Sequence, residues 1–490
     1  LFKDRLEEEH RESTSALFEN LVETAGIDEK ANFATVSNIR LFENKRDNAK
    51  SDLTKWRWLR GLNIFSAITT AVLVLDFSLT PLLFMKENGN TFLFYQIFGA
   101  DQALLFVLIC GLISAINFWF LPKLKRIVQT SEAKLEAIEV KLKKENDKAW
   151  SQMYPLNELY EWSTIPEIVS KTIPNFVLDP FFSTERLSEL KQSFGWNNLY
   201  HNENYSTIFC QSGAVNGNPF FLVKTNDFKY VDKTYEGSLT ISWQEQEAYT
   251  DENDNTRYRT VTRTETLYAS IVKPAPNYTR VNRIIYGNEA APELNFSRRP
   301  NPLSGQGDGL FDRGALRRRI KKLKKKSREL DGFMLMPNEE FDALFDAVDR
   351  DNEQQFRLLF THLAQEEMVK ILRDKEVGFG DNFDFIKRNK INIVRPDHLK
   401  DIDISASPDI FQDYDIVSAR ENFNEYSNDY FKYLYFSFAP IFAIPLYQFH
   451  RSHQEVYKDT YAKTATSWEH ESIANYFGCQ MFEHPDSVTE

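Results

Sequence analysis

The residues with the most capacity for chemistry lie towards the C-terminal end of this 490-residue sequence, where His450 and His453 form an H-x-x-H pair followed by His470, Cys479 and His484. Neutral imidazoles and a thiolate are zinc ligands, so such a set could hold a metal that activates water. The pair lacks the H-E-x-x-H pattern, in which helical spacing brings two imidazoles to one face and the glutamate supplies a base. Glu469 and Glu471 have no fixed spacing to it. We therefore expect no metal site and no cofactor, and His450, His453 and His470 stand as the candidates of an alternative reading, a membrane-bound zinc hydrolase. No phosphate-binding loop, G-x-S-x-G elbow or Cys/His nucleophile pair is present, so no catalytic residue is predicted. Gly305-x-Gly307-x-Gly309 lacks both the leading strand and the Lys-Ser/Thr of a nucleotide site. The acidic run at 251–255 (DENDN) lacks the glycine and closing glutamate of a calcium loop and reads as a hairpin tip.

The strongest charge signal is a run of Arg313, Arg317, Arg318, Arg319, Lys321, Lys322, Lys324, Lys325, Lys326 and Arg328. Leu316, Ile320, Leu323 and Leu330 fall on one side of a helix through it, giving a basic amphipathic helix. Three partners fit: anionic lipid or another acidic partner, nucleic acid, or the chain's own acidic segment from Glu339 to Glu353. The net charge of −12 and the absence of a nucleic-acid-binding pattern count against nucleic acid as a partner.

The elements that position these residues begin with two apolar stretches, spanning about 62–85 and 103–121. Each is long enough, at about 20 residues, to cross a ~30 Å hydrocarbon layer as a helix, and both read as apolar on all faces. Arg46, Lys50, Lys55, Arg57 and Arg60 precede the first, and Lys123, Lys125, Arg126, Lys134 and Lys141 follow the second. The loop from Lys86 to Gln102 holds only Lys86. This asymmetry predicts a two-pass hairpin in a membrane with both termini cytoplasmic. Asp76 is the polar exception, read as solvated near the outer interface, with an ion path through a small oligomeric channel as the alternative.

Ile39, Phe42, Arg46, Ala49, Leu53 and Trp56 recur at three-four spacing before the first span. Leu121, Leu124, Val128, Ser131, Leu135, Ile138 and Leu142 do so after the second. Such heptad-like seams predict a helical, coiled-coil-like stalk continuing the hairpin, or pairing of each helix with its copy in a homo-oligomer. Past Trp150 come a proline-punctuated region and a short helix over Thr184–Phe194, and then the period changes to two: Tyr205–Gln211, Pro219–Lys224, Ser238–Glu247, Arg257–Lys273 and Val281–Tyr286 read as antiparallel strands, with Asn216-Gly217 as a tight turn. A helical period returns over Phe341–Arg373, and 383–394 (FDFIKRNKINIV) reads as a hairpin. The apolar 433–447 segment, broken by Pro440 and Pro445, reads as buried or membrane-surface structure rather than a third span.

The fold class expected is thus α+β: a two-helix transmembrane hairpin with a helical stalk and a cytoplasmic domain containing an antiparallel sheet. Its parts are a docking helix (1–34), hairpin and stalk (35–150), a sheet domain (151–296), a linker with the basic helix (297–332) and a C-terminal α+β part (333–490). Three cysteines, Cys110, Cys210 and Cys479, with no C-x-x-C pair, count against a disulfide framework. The opening residue is Leu1, so we expect chain upstream of it.

Two N-terminal spans, the stretch GAVNGNPFFLV (213–223), the segment from Glu339 to Leu372 and FDFIKRNKINIV together resemble a family of two-pass bacterial membrane proteins with one large cytoplasmic domain. The resemblance covers about half of the chain, and the 238–273 hairpin, the basic helix and the residues past Tyr447 depart from it. It implies a bacterial membrane protein and carries no activity to transfer; with the hairpin, the location expected is the bacterial inner membrane, in contact with lipid. The function expected is a scaffold or interaction module with a protein partner or a second copy.

Overall fold

The computed structural model describes residues 2–84, 93–197, 205–250, 256–305, 310–329, 333–451 and 467–478. The chain falls into two compact units, one formed by 18–160 with 411–423, the other by 1–17, 161–410 and 424–490.

In the first unit, α1 (Glu7–Ala25) ends at Gly26, whose φ of 64° is the left-handed conformation that closes a helix cheaply only for glycine. Asp28 then caps α2 (Glu29–Phe84), accepting from the Ala31 amide at 3.0 Å. Helix α3 (Leu93–Asn157) returns alongside it. At 1.5 Å per residue these helices are about 84 and 98 Å long, roughly three times a hydrocarbon layer. Both are long and apolar enough to cross a membrane.

The least exposed positions on the polar parts of α2 and α3, outside the two apolar stretches, follow the three-four seams. Ile39 and Leu53 on α2, and Val128 and Leu142 on α3, are buried, while Phe42, Ala49, Leu124, Leu135 and Ile138 are half-buried. The seam therefore joins the two helices within one chain. Arg57 and Glu132 bridge them at 2.8 Å. Segment 411–423 closes the far end of the pair: Asn32 donates to the Tyr414 carbonyl at 2.9 Å, Asn157 to the Asp413 carbonyl at 3.1 Å, and Arg40 meets Asp415 at 3.0 Å.

The second unit is built on a seven-stranded antiparallel sheet. Its elements run α4 (Thr164–Thr172), β1 (Phe176–Leu178), α5 (Thr184–Gln192), β2 (Tyr205–Val215), β3 (Asn218–Thr250), β4 (Thr256–Gly287), β5 (Asn295–Arg298), α6 (Leu310–Glu329), α7 (Glu339–Phe345), α8 (Glu353–Leu359), α9 (His362–Arg373), β6 (Phe383–Arg388), β7 (Ile391–Pro396), α10 (Ile416–Phe442), α11 (Pro445–Phe449) and α12 (Ser467–Phe477). Strand order is β1-β2-β3-β4-β7-β6-β5. The pairing of β4 with β7 places segments 151–296 and 333–490 in one sheet, so the basic-helix region between them is an insertion in one unit rather than a boundary between two.

The run Phe220-Phe221-Leu222-Val223 is apolar at every position because both faces of β3 are covered here. Phe220 packs on Phe438 of α10 with ring centroids 4.7 Å apart, while Phe221 and Val223 join Leu190 of α5 and Ile285 in a core on the other face. Asn216 and Gly217, both at positive φ, form the two-residue turn before β3. Phe296 of β5 is fully buried against Phe345, Phe356, Phe360 and Phe385, which gathers α7 and α8 onto the sheet. The helical pattern over 341–373 resolves into three short helices because Asp346 turns left-handed after α7, and Asn352 and Thr361 cap the next two.

Segment 433–447 is core: Leu434, Phe438, Ile441, Ile444 and Tyr447 are buried. Residues before α1 and the start of α1 dock on α10 of the same chain, with Phe2 stacked on Phe431 and His10 bonded to the Ser427 carbonyl at 3.1 Å. The N-terminal helix thus finds its partner within its own chain.

Candidate interaction surfaces

The first candidate surface is the apolar part of the α2–α3 pair, and its side chains are distributed inside out. Leu62, Phe65, Ile68 and Val72 of α2 and Leu108, Leu112, Ile116 and Phe118 of α3 are exposed. The half-buried or buried positions between the helices are mostly small or polar: Asn63, Ser66, Ala67 and Thr70 on one, where Ile64 and Val74 are the large apolar exceptions, and Cys110, Ser114 and Asn117 on the other. Asn63 donates to Asn117 Oδ1 at 3.1 Å, and Asn117 donates to Ser66 Oγ at 2.9 Å. The sequence expectation that both stretches are apolar on all faces is corrected by these residues. Their three-four spacing was a readable signal, masked by the apolar residues around them. Asp76 lies on the backbone of α2, but its side chain is outside the described residues.

The second is the basic helix α6. Leu316, Ile320 and Leu323 pack with Phe333, Ala343 and Val348, so the apolar stripe is spent on the chain's own unit. Arg319 pairs with Asp346, and Lys324 with Glu339 at 2.7 Å. Arg317, Arg318, Lys321, Lys322 and Lys325 are exposed on the outer side, whereas Lys326 is half-buried near the Phe333 ring. The face offered to a partner is therefore cationic and not apolar, suited to attraction at a surface rather than insertion into one.

The third is a pair of adjoining cavities beside α5. One, of about 880 Å³, is lined by Trp162, Phe181, Phe209, Cys210, Trp468 and Tyr476. The other, of about 400 Å³, is walled by Trp196, Phe221, Val223 and Ile393, with Arg283 and Arg395 at its polar end. Arg283 is bonded to Asp227 and Thr225. Burial, with Arg283 beside it, holds the Arg395 guanidinium below its ordinary pKa. Burial also pushes the Cys210 thiol up to about 12, which removes its nucleophilic character at neutral pH.

The histidine set is not assembled by the described residues. His450 contributes its backbone carbonyl to Asn218, and His470 is exposed on α12. His453, Cys479 and His484 lie outside the described residues. Among the described residues no three metal-ligating side chains converge. The titratable groups that burial does perturb are structural. His10 and His398 are each held at about 4 by burial and stacked on Phe431 and Phe379, both with centroids 4.0 Å apart. Lys387, held down to about 7 by burial, donates to the Ala290 carbonyl at 3.0 Å.

The fourth surface is a two-stranded ribbon that sequence reading divided into separate short strands. Strands β3 and β4 pair without a break from Phe220↔Tyr286 to Thr250↔Thr256. Strand β2 accompanies β3 only as far as Asp227. Among the described residues, 228–250 and 256–278 pair with each other alone, forming an arm about 75 Å long. The expected tip at 251–255 lies outside the described residues.

No family model, curated protein or solved structure matches the chain.

Proposed function

We propose that the chain is a two-pass membrane protein whose α2–α3 hairpin anchors the sheet-bearing unit at the cytoplasmic side, where that unit serves as an interaction module. The inside-out hairpin carries this reading. In water, a helix pair turns leucine and phenylalanine towards its partner and asparagine towards solvent. In hydrocarbon, lipid tails are as apolar as leucine, and close approach of small residues with interhelical hydrogen bonds holds the helices together. Asn63, Ser66 and Asn117 inside, with Phe65, Leu112 and Phe118 outside, follow the second rule.

The clusters of Lys and Arg at the stalk ends favour cytoplasmic termini, and the resemblance to two-pass bacterial proteins favours the bacterial inner membrane. Lys123 over the Trp119 ring at 3.3 Å is the pairing expected of a basic and an aromatic residue at a headgroup boundary. The outward cationic face of α6 supports contact with anionic lipid on the same side. Single-cysteine labelling in spheroplasts, with the native cysteines replaced, tests the topology. An impermeant maleimide should modify Asn88→Cys and spare Lys144→Cys until the membrane is opened, and alkaline carbonate should leave the protein in the pellet. Release by carbonate, or equal labelling of both positions from outside, would refute the anchor.

A further inference from the structure

Two-stranded ribbons are marginal in water unless a face is covered, yet this one runs about 75 Å beyond its sheet with both faces exposed among the described residues. Its faces differ. Register and alternation put Thr234, Ser238, Thr240, Ser242, Gln244, Thr262, Thr264 and Thr266 on one side, with Tyr268 and Val272 among them, and there Thr240 and Thr266 join hydroxyls at 3.1 Å. The opposite side carries the rows Lys233/Lys273, Tyr235/Ile271, Gly237/Ala269, Leu239/Leu267, Ile241/Glu265, Trp243/Arg263 and Glu245/Val261. Leu239 and Leu267 are 63% and 47% exposed.

We propose that this second side is the contact face of a homodimer, in which two ribbons lie face to face and antiparallel about a two-fold axis through the Leu239/Leu267 row. The Leu239/Leu267 row lies in the middle of the described length of the ribbon, so this axis overlays the described parts of the two ribbons on each other. A face about 75 Å by 10 Å gives ~750 Å² per copy and ~1,500 Å² in total, the size of a standard stable interface. Size and charge match along β3 under the same rotation. Leu239 meets its symmetry copy, Gly237 receives Ile241, Tyr235 opposes Trp243, and Lys233 opposes Glu245. Glu245 already accepts from Arg263 of its own chain at 2.6 Å and has a second oxygen for the lysine. A parallel two-fold would instead stack each row on itself. It would bring four lysines together at Lys233/Lys273 and leave a gap at Gly237/Ala269. The proposal stands on the ribbon and is independent of the membrane reading.

The experiment is light-scattering mass and concentration-dependent dissociation of the full chain in detergent. The wild type should have twice the 57.3 kDa protein mass. Lys233→Glu and Glu245→Lys should each weaken the dimer about tenfold, because two reversed ion pairs act together. An equimolar mixture of the two variants should restore wild-type affinity, since each contact then joins opposite charges; this rescue also shows that both variants fold. Leu239→Asp should give monomer. A monomeric wild type, a dimer indifferent to Lys233→Glu and Leu239→Asp, a mixture without rescue, or a larger ring from edge-to-edge strand pairing would each overturn the proposal.

Discussion

Leu112 and Val140 lie on the same helix, α3, with nearly equal exposure, 65% and 64%. If both faced water, replacing either by aspartate would change stability by no more than about 0.5 kcal/mol, the usual range for an exposed position. In the membrane reading they have different solvents. Leu112 is at the centre of the 103–121 stretch and turned away from α2, so aspartate there exposes a carboxyl group to hydrocarbon. Val140 is on the stalk, past the basic cluster from Lys123 to Lys134. Apparent insertion costs for aspartate at a helix centre are about 2.5–3.5 kcal/mol, and leucine's favourable contribution is lost as well. Leu112→Asp should therefore shift the insertion equilibrium by roughly a hundredfold or more, while Val140→Asp leaves it unchanged. The assay is the inserted fraction of the full chain translated in the presence of membranes, scored by resistance to carbonate and by protection of an engineered tag placed within residues 86–92. Equal effects of the two substitutions, or none from Leu112→Asp, would refute the assignment of hydrocarbon to the exposed face of α3.

Acidification should loosen the sheet-bearing unit. His10 and His398 are held at about 4 in the folded chain, against 6.5 for a free histidine. A base with a depressed folded pKa favours the fold above its unfolded value and loses that contribution as pH falls towards the folded one. Stability should thus decline between pH 6.5 and 4, by up to roughly 3 kcal/mol for each histidine. Thermal unfolding in detergent across that range measures the slope, and His10→Gln with His398→Gln should flatten it; an unchanged slope would sink the assignment. Charge reversal of Arg317, Lys321, Lys322 and Lys325 to glutamate should leave the unfolding temperature nearly unchanged, because their side chains are exposed. In wild-type protein reconstituted in anionic liposomes, trypsin should cut the 317–326 run at least about tenfold more slowly than in neutral liposomes, with the difference abolished by salt. Equal cutting in both lipids would show that α6 has another partner.

Local patterns carried much of the fold. Three-four spacing marked the residues that α2 and α3 turn towards each other, Gly26 marked the end of α1, and Asn216-Gly217 marked the turn into β3. Alternation and β-branched residues announced an antiparallel sheet in an α+β chain. These signals are legible because a helix or a turn is decided by neighbours within four residues of one another. The small and polar face of the hairpin was present in the same spacing, at Asn63, Ser66, Ser114 and Asn117, yet hydropathy averages over a turn and erases it.

Tertiary structure decided whatever depended on a distant partner. Asp232, Glu236 and Gly237 interrupt the apolar alternation of β3, and Pro274 and Pro276 argue against a strand in β4. Each strand continues through them because the other supplies a register across the ribbon, and the prolines are tolerated where β4 has no neighbour on its outer edge among the described residues. Phe438 and Tyr447, apolar enough to suggest a membrane surface, are core because β1, β3 and β4 bring Phe176, Phe220 and Tyr286 against them. The basic helix was evident from its charges alone; that its leucines are already used, leaving only cations outward, depends on Phe333, Ala343 and Val348 arriving from later in the chain. Sequence by itself determined the apolar stretches and most of the helices and strands, because those follow from local sterics and hydration. Which faces remain uncovered, and so can bind, is a difference between the whole surface and what folding consumes, and only the packed chain contains it.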